Sequence, residues 1–379
     1  MSFLLFIKTL LLKKDNVLMF ESSPDLSSNT YPVFLEFLKR GFNNKYFLLW
    51  KIRTNKKYPK IKNVIYWVEG KKYGFFKKVI FHILFKHIKA NICCNGFLLP
   101  RSDRQMSFYL THGTFIKNVL NYYNIPKEIN YMLVASEEAG RIISKTANYP
   151  FPDRIVVTGY PYNDDLTNSI FDLSNLFDKK YSKYIAWYPT YKQHKNSELA
   201  STTGKAISII DNEEAAKAIN EKLIKENTLL IIKPHFAQDL SKIKNFSLSN
   251  IIFITDEFFS KHRISSYAFI ASCDALITDY SAVYFDYLIC NKQIGAVWED
   301  IEEYKKFPGF CVDINTVMSG AYKIYNVSDF ISFIDGVSNN KDELRSTREK
   351  LCSIYNISTD GKNAVRVVDF IVGKCGLKL

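Results

Sequence analysis

The chain has 379 residues, of which 47% are hydrophobic and 23% are charged, and its formal net charge is +13 at pH 7. This composition excludes an intrinsically disordered protein, and the lack of low-complexity tracts or fixed-period repeats excludes linkers and solenoids. The length suits two domains of ordinary size. The basic excess attracts anions such as nucleic acid, anionic lipid or phosphorylated substrates, without choosing among them.

The cysteines and the N-terminus bear on the compartment. Seven cysteines, including the adjacent Cys93 and Cys94, show neither a disulfide framework nor zinc-site spacing. Reduced thiols are therefore expected. Residues 2–14 are apolar but lack a basic n-region and a cleavage site, and no run reaches the about 18 apolar residues of a membrane span. We expect a cytoplasmic protein that is peripheral on the inner face of the cell membrane.

Short apolar runs alternate with helical patterns along the chain. In the first half, a helix is predicted over 31–40, and strands are predicted over 16–22, 45–52, 63–68, 90–94, 107–112, 131–136 and 154–159. In the second half, strands are predicted over 184–190, 228–234, 250–255, 274–279 and 293–298. The polar stretch 163–184 is the predicted domain boundary. Strands that alternate with helices predict parallel sheets, so we expect an α/β protein with two Rossmann-like domains facing a cleft.

The segment 71–90 has two open interpretations. It places apolar residues at helical spacing with lysines around them: Phe76, Val79, Ile80, Ile83, Leu84, Lys77, Lys78, Lys86 and Lys89. Such a helix can contact an anionic membrane surface, and it can equally be a crossover helix that packs on its own sheet. The same alternatives apply to residues 2–14.

One predicted strand end carries a histidine and a glycine. His112 and Gly113 close the strand 107–112, and Thr114 is predicted to cap a helix over 114–123. In parallel sheets ligands bind at such carboxyl ends. Gly113 lets backbone approach a ligand closely, and a neutral imidazole can accept a proton. A packing or capping role for His112 is an equally open interpretation.

Three more predicted strand ends carry polar side chains. The residues concerned are Thr190 and Lys192, Lys233 and His235, and Asp279 and Ser281. Cationic side chains and helix N–H groups at such ends are suited to phosphate oxygens. Surface lysines, a satisfied histidine or plain helix caps explain each pair individually, but they do not explain the same chemistry at several strand ends.

Seven motifs, taken in order, resemble the CDP-glycerol glycerophosphotransferase family of teichoic acid synthesis. They are "FESSPDLSSNTY", "THGTFIKN", "TGYPYNDDL", "WYPTYK", "IIKPHF", "ITDYSAVYFDY" and "DGKNAVRVVDFI". The resemblance implies a GT-B fold with an N-terminal acceptor domain over 1–168 and a C-terminal CDP-polyol-binding domain over 169–350. Residues 351–379 are expected to form a helical segment that could pack back on the first domain.

The same resemblance implies an activity. The family transfers glycerol phosphate from CDP-glycerol to a hydroxyl of a lipid-linked or polysaccharide acceptor, with release of CMP. The product is a teichoic acid or a capsule-type polymer. We therefore expect a transferase with a CDP-polyol donor as partner, possible contact with an anionic membrane surface, no cofactor and no obligatory metal.

Site residues follow from the resemblance position by position. His112 matches a general base, and His235 matches a second essential histidine near the diphosphate. The implied substrate-binding residues are Gly113, Thr114, Thr190, Lys192, Lys233, Thr278, Asp279, Tyr280 and Ser281. Ala282, Tyr162 and Lys192 depart from the common family pattern, so ribitol phosphate or another polyol phosphate stays open as the transferred group.

Two other functions remain open from the sequence. A GT-B glycosyltransferase that uses a nucleotide sugar would share the fold and the charge. A basic nucleic-acid-binding protein would also explain the charge of +13. The chain shows no zinc finger, no aromatic RNA-binding motif and no concentrated basic arm, so we expect no nucleic-acid partner.

Overall fold

A computed structural model describes residues 15–54, 56–118, 124–190, 207–234, 240, 243 and 246–379. The chain divides into two compact units. The first unit draws on the segments Met1–His112, Asn124–Asp164 and Lys362–Leu379. The second draws on Gly113–Tyr123 and Asp165–Gly361. Each unit contains one parallel β-sheet.

The described strands are short, as is usual for buried parallel sheets. In chain order they are β1 Val17–Ser22, β2 Phe47–Ile52, β3 Val64–Val68, β4 Ile88–Cys94, β5 Met106–Leu110, β6 Tyr131–Val134, β7 Ile155–Val157, β8 Lys183–Trp187, β9 Thr228–Ile232, β10 Ile251–Phe253, β11 Ala275–Thr278, β12 Gln293–Val297 and β13 Tyr322–Ile324. Most of their residues are buried and apolar, which fits sheets covered on both faces.

The described helices occupy the connections between these strands and the C-terminus. They are α1 Thr30–Lys39, α2 Phe75–Lys86, α3 Glu137–Thr146, α4 Asp165–Asn168, α5 Glu213–Lys225, α6 Asp256–His262, α7 Ser266–Ser272, α8 Val283–Tyr287, α9 Ile301–Lys306, α10 Ile314–Val317, α11 Val327–Ser338, α12 Arg345–Tyr355 and α13 Asn363–Cys375. Within the described part of the chain, no helix is long and apolar enough to cross a membrane.

The sheet of the first unit, sheet one, has the order β3-β2-β1-β4-β5-β6-β7 among the described residues. All of its pairings are parallel. The chain builds outward from β1 to β3 and then returns to place β4 on the other side of β1. This doubly wound order creates a switch point between β1 and β4, outside which ligands bind in folds of this kind.

One core of sheet one is closed by the first and last helices of the described chain. Phe34 and Phe37 of α1 join Phe20 and Trp50 of the sheet in this core. The helix α13 contributes its apolar stripe to the same cluster, with Val367, Val368, Ile371 and Cys375 followed by Leu377. Within α13, Ile371 is three or four residues from Val368, Val367 and Cys375, which puts these side chains on one helix face.

The sheet of the second unit, sheet two, repeats this design. Its order among the described residues is β10-β9-β8-β11-β12-β13, and every pairing is parallel. The switch point here lies between β8 and β11. The apolar faces of α5 and α11 cover one side of the sheet, where Ile219 and Phe330 pack with Trp187 and Ile277.

Side-chain caps begin some of the helices in both units. Ser136 accepts a hydrogen bond from the N–H of Ala139 at 3.1 Å and begins α3. Asn212 accepts one from Ala215 at 2.9 Å and begins α5. Such side-chain caps satisfy N–H groups that have no partner within the helix.

The predicted strands and the helix over 31–40 are confirmed within a few residues at each end. The prediction missed β13, which has only three residues and stands at an edge of sheet two with Tyr322 exposed. The predicted helix over 114–123 is wrong for residues 114–118, and 119–123 lie outside the described residues. The N–H of Asn118 instead donates to Gly309 at 3.0 Å, and Lys117 pairs with Phe310 in an antiparallel bridge.

All seven cysteines are free thiols. Cys93 and Cys94 are fully buried at the end of β4, and burial raises the pKa of Cys94 to about 11. These two thiols are therefore protonated and unreactive near neutral pH.

Candidate functional site

His112 lies at the carboxyl end of sheet one, two residues beyond β5. Thr111 holds the chain there, because its N–H and its hydroxyl donate to the carbonyl of Leu133 in β6 at 3.2 and 2.8 Å. The imidazole of His112 reaches solvent. Desolvation by the surrounding protein nevertheless lowers the pKa of His112 below its ordinary value of 6.5, so the ring is neutral at pH 7.

Asn29, which precedes α1, fixes the same strand end. Its side chain is 3% exposed. Nδ2 donates to the carbonyl of Thr111 at 2.5 Å, and Oδ1 accepts from the N–H of Tyr162 at 2.9 Å. Sequence reasoning missed Asn29 as a site residue. It stands in the "SSNTY" motif, and its role depends on partners 82 and 133 residues away.

Gly113 makes a close backbone approach within the second unit. It has φ of +148°, and a Cβ at this position would lie 2.7 Å from the Cβ of Ala282. Glycine alone fits both the backbone angle and the space. Thr114 is fully buried, and no helix begins beside it, so its predicted role as a helix cap is wrong. The backbone groups that a helix would have used pair with residues 309–311 instead.

Thr190 and Asp279 meet at the switch point of sheet two. Thr190 follows β8 and Asp279 follows β11. The carboxylate of Asp279 is 2% exposed and accepts the N–H of Thr190 at 2.7 Å as well as its hydroxyl. Thr278 is fully buried, and its hydroxyl donates to the carbonyl of Tyr188 at 3.1 Å. The two strand ends are thus tied together by polar contacts.

Tyr280 is an internal residue rather than a surface donor. It is 1% exposed, its hydroxyl donates to Asp300 at 3.1 Å, and its ring centroid lies 4.3 Å from that of Tyr304. Burial raises the pKa of Tyr280 far above its ordinary value. The side chains of Thr278, Asp279 and Tyr280 are therefore buried, and their internal hydrogen bonds hold the end of β11 and the residues after it in place.

Ser281 and Lys233 are the partly exposed residues of this strand-end group, together with Thr190. The helix α8 begins at Val283 with Ala282 at its N-cap position and no side-chain cap, while the carbonyl of Ser281 accepts from the N–H of Tyr284 at 3.1 Å. Lys233 follows β9, and its N–H donates to the carbonyl of Trp187 at 2.9 Å. Its ammonium lies 3.0 Å from Asp256 Oδ1, a carboxylate that is 79% exposed. An anionic ligand can therefore compete for this ammonium.

Two predicted site residues, Lys192 and His235, lie outside the described residues. Among the residues that the structure describes, no group of three or more His, Cys, Asp or Glu side chains could hold a metal ion.

The "TGYPYNDDL" and "DGKNAVRVVDFI" motifs meet within the first unit. The carboxylate of Asp164 accepts the N–H groups of Asn363 and Ala364, both at 2.8 Å, and so caps α13. The side chain of Asn363 donates to the carbonyl of Tyr160 at 3.1 Å. Gly159 has φ of +80°, and a Cβ there would clash with Asn363. These two motifs act structurally, since they fasten the last helix to the first unit.

Comparison with known proteins assigns the chain to a family. The model of the CDP-glycerol:poly(glycerophosphate) glycerophosphotransferase family matches residues 3–373. The chain belongs to this family. The predicted resemblance to this family is confirmed.

Two curated relatives of this glycerophosphotransferase family member act in teichoic acid synthesis. The teichoic acid poly(glycerol phosphate) polymerase of Staphylococcus epidermidis is 25% identical over 306 residues, which cover 72% of this chain and 39% of the polymerase. The teichoic acid ribitol-phosphate primase of Bacillus spizizenii is 29% identical over 107 residues, which cover 28% of this chain and 26% of the primase. The chain thus matches less than half the length of either relative.

Solved structures show the fold. The wall teichoic acid polymerase TagF has a TM-score of 0.72 at 18% identity, over 98% of this chain and 92% of that chain. A putative UDP-N-acetylglucosamine 2-epimerase from Listeria monocytogenes has a TM-score of 0.56 at 13% identity, over 96% and 97%. The predicted α/β class with two parallel sheets of the GT-B type is confirmed.

Proposed function

We propose that this family member transfers glycerol phosphate, or a related polyol phosphate, from a CDP-polyol to an acceptor hydroxyl and releases CMP. The observation that carries the proposal is the family match over residues 3–373, which includes every strand-end residue described above. TagF, whose fold is similar, has also been solved as a variant soaked with CDPG. The relatives act in teichoic acid synthesis, and we propose a teichoic acid or capsule-type polymer as the product.

The second unit supplies the groups that would hold the donor. Ser281 is partly exposed at the end of β11, and Thr190 and Lys233 are partly exposed at the neighbouring strand ends. A hydroxyl can donate to a phosphate oxygen, and an ammonium offsets the charge of a diphosphate. The hydrogen bonds that Asp279 accepts from Thr190 hold the ends of β8 and β11 together. The hydroxyl and ammonium groups are therefore positioned before the donor binds.

His112 would act as the general base. The acceptor oxygen forms a bond to the β-phosphorus of the donor, and its proton passes to the neutral imidazole of His112. The bond between that phosphorus and the bridging oxygen breaks, and CMP leaves with the electron pair. Cationic and N–H groups would stabilise the negative charge that develops on CMP.

The acceptor is proposed to be a lipid-linked or polysaccharide hydroxyl at the inner membrane surface. Support comes from the basic charge of the chain, +13 at pH 7, since a phosphorylated polymer and an anionic leaflet both carry negative charge. Both glycerol and ribitol phosphates appear in the names of the curated relatives. The binding experiment therefore compares CDP-glycerol with CDP-ribitol.

Titration calorimetry with CDP-glycerol, CDP-ribitol, CMP and a UDP-sugar tests the donor. We expect tight binding of one CDP-polyol and about tenfold weaker binding by Ser281→Ala and His235→Ala, since each loses a hydrogen bond to a charged group. Ser346→Ala, which alters an exposed serine of α12, is the matched control. Release of CMP in the presence of an acceptor then establishes transfer.

A nucleotide-sugar transferase stays as the alternative. Its support is the likeness of the fold to a structure of S. aureus MnaA with UDP, at a TM-score of 0.54 and 11% identity. Binding of the UDP-sugar in preference to both CDP-polyols would reject the proposed donor and favour this alternative.

A further inference from the structure

A cavity of about 270 Å³ lies at the amino-terminal edge of sheet two. Gln293 and Tyr322 line it, and they are the first residues of β12 and β13. Thr190, Asp279 and Ser281 follow the carboxyl ends of strands in the same sheet. The cavity and these strand-end residues are therefore at opposite edges of sheet two, which a strand of five residues separates by about 16 Å.

The cavity has an aromatic wall. The ring centroids of Tyr322 and Phe333 are 6.0 Å apart, with an angle of 37° between the ring planes. Phe333 is buried in the core of the second unit, whereas Tyr322 is 39% exposed. Ile294 and Leu344 add apolar surface beside the rings. A wall of this kind can bind the face of a planar ligand ring by stacking.

Gly336 leaves space in the cavity. It lies inside α11, where glycine is the least favourable residue after proline. Packing does not require a glycine here, because a Cβ at this position would be 3.5 Å from Gln293 Oε1 and from the carbonyl oxygen of Lys341, which are ordinary contacts. A larger side chain at 336 would occupy the cavity. A glycine that packing does not require is typical of a close approach by a ligand.

The wall presents hydrogen-bond acceptors. Gln293 Nε2 donates to the carbonyl of Gly336 at 3.3 Å, which leaves Oε1 as an acceptor beside the glycine. Asp342 Oδ2 accepts from the guanidinium of Arg348, which leaves Oδ1 as a second acceptor. Arg348 is 1% exposed and also donates to the carbonyl of Gly320 at 3.3 Å, so it holds Asp342 in place. A ligand that satisfies these acceptors must carry N–H donors.

The charges that line the cavity balance. Lys341 and Arg348 are cationic, and Asp342 and Glu343 are anionic. Lys341 is 71% exposed, and its ammonium lies 3.9 Å from the carboxylate of Asp335. Such a long and exposed ion pair is weak, so the ammonium is available to a monophosphate. The balance of charge does not favour a highly charged ligand such as a diphosphate.

We propose that this cavity is a second nucleotide site, in which CMP binds through its cytosine ring. The ring stacks on Tyr322, and its amino group donates to Gln293 Oε1 or Asp342 Oδ1. Uracil presents a carbonyl oxygen where cytosine has this amino group, so it would place an acceptor against an acceptor.

The size of the cavity also favours a pyrimidine nucleotide. Its volume of about 270 Å³ is just below the roughly 300–1,000 Å³ of sites for drug-sized ligands, so it suits one ring better than a purine or a whole CDP-polyol. The inference goes beyond the proposed function. It rests on that function only for the source of the ligand, because CMP is the product that the proposed reaction releases.

Titration calorimetry of the full chain with CMP and with UMP tests the proposal. We expect two CMP molecules per chain, and binding of UMP in the cavity that is weaker by about tenfold or more. Gly336→Leu should abolish one of the two CMP components because its side chain fills the cavity. Tyr322→Leu should weaken the same component about tenfold because the stacked ring is lost. Ser281→Ala should weaken only the other component.

Two glycine and tyrosine substitutions elsewhere are the matched controls. Gly373→Leu also changes a glycine inside a helix, α13, and a Cβ there would have no described atom within 4 Å. Tyr325→Leu changes an exposed tyrosine just beyond the other end of β13. Both should keep two CMP components of wild-type affinity. Thermal unfolding of every variant verifies that it folds, and the exposed Tyr322 provides a test that does not depend on Gly336→Leu.

Two results would overturn the proposal: CMP binding that neither Gly336→Leu nor Tyr322→Leu weakens, or a cavity that binds UMP as tightly as CMP. Either result together with binding of a CDP-polyol would reject this inference and leave the proposed function standing. A CMP component that depends on Gly336 and Tyr322, in a chain that binds no CDP-polyol, would do the reverse.

Discussion

His112 carries a chemical property that kinetics can detect. Its pKa is lowered, so the ring stays neutral as the pH decreases through 6.5, the ordinary value, and takes up a proton only below it. We expect kcat/KM to be constant near neutrality and to fall on the acid side, below about pH 6.5. His112→Asn should lower kcat by about 10²–10⁴-fold and remove this acid limb.

The control for this pH profile is His262→Asn, which changes a partly exposed histidine at the end of α6. It should leave both the rate and the acid limb unchanged. If His112→Asn keeps the acid limb, another group is the base.

Asn29 is a positioning residue for the strand end that carries His112. Asn29→Asp keeps the acceptor for Tyr162 but places a carboxylate against the carbonyl of Thr111, which has lost its donor. We expect kcat to fall, KM for the donor to stay within about twofold, and stability to decrease by about 1–3 kcal/mol.

Asn43→Asp is the matched control for Asn29→Asp. Asn43 also donates to a carbonyl, that of Lys62 at 3.1 Å, but this hydrogen bond is exposed. An equal loss of kcat in both variants, or a donor KM that rises in step with the loss of kcat at Asn29, would contradict a positioning role.

Thr190 and Asp279 form a partly buried contact whose loss should lower the free energy of unfolding. Thr190→Val removes a hydroxyl donor from a carboxylate that is 2% exposed, so the free energy of unfolding should decrease by about 1–3 kcal/mol. Thr316→Val is the control, because Thr316 donates to Asp313 at the surface. Urea denaturation measures both, and equal losses would show that burial of Asp279 contributes nothing.

For single residues, the sequence predicted candidate site residues but not the contacts between them. It selected Thr190 and Asp279 because each follows an apolar run, and parallel strands end at one edge of a sheet. It did not pair them, since 89 residues separate them in the chain. Nor did it show that Asp279 and Tyr280 turn inward, because burial of a loop side chain depends on neighbours such as Tyr304 that no local pattern indicates.

Among the elements, the junction of α13 offers a direct test of motif function. Asp164→Ala removes the acceptor for two N–H groups at the start of this helix. The loss should be about 0.5–2 kcal/mol, as for other caps. Asp153→Ala, at an exposed position of the same unit, should have no effect on the free energy of unfolding. A catalytic role for the motif would instead appear as lost activity at unchanged stability.

The elements that were predicted well differ physically from those that were not. Strands such as β1 and β9 are fully buried and mainly apolar, so their composition specifies them. The segment 114–118 has helical spacing, but its N–H and carbonyl groups find partners in residues 309–311. Tertiary pairing of this kind overrides local propensity. The segment 71–90 was ambiguous because both interpretations require the same amphipathic helix.

For the molecule as a whole, Lys323 links stability to pH. Burial lowers its pKa to about 7, against 10.5 for an ordinary lysine. Between these values the unfolded chain binds more protons than the folded chain, so the free energy of unfolding rises with pH across this window and falls as the pH returns toward 7. The slope from this group is at most about 1.4 kcal/mol per pH unit.

Lys323→Met should remove this contribution. Urea denaturation of both proteins between pH 7 and pH 10 gives the difference, in which titrations common to both cancel. Lys305→Met, at an exposed lysine paired with Glu302, serves as control and should leave the slope unchanged. A flat difference for Lys323→Met would mean that the Trp298 ring, 4.1 Å away, and the carbonyl of Met318, which accepts from the ammonium, keep the ammonium as stable as in water.

The return of the chain to the first unit affects how the protein is made. Residues 362–379 belong to that unit, and α13 buries four apolar side chains in its core, each worth about 1.5–3 kcal/mol. During synthesis the core of the first unit therefore lacks α13 until the ribosome has completed the second unit. The incomplete first unit would be exposed to chaperones while the second unit is synthesised. A peptide of residues 362–379 supplied in trans should restore folding of a chain truncated at Gly361.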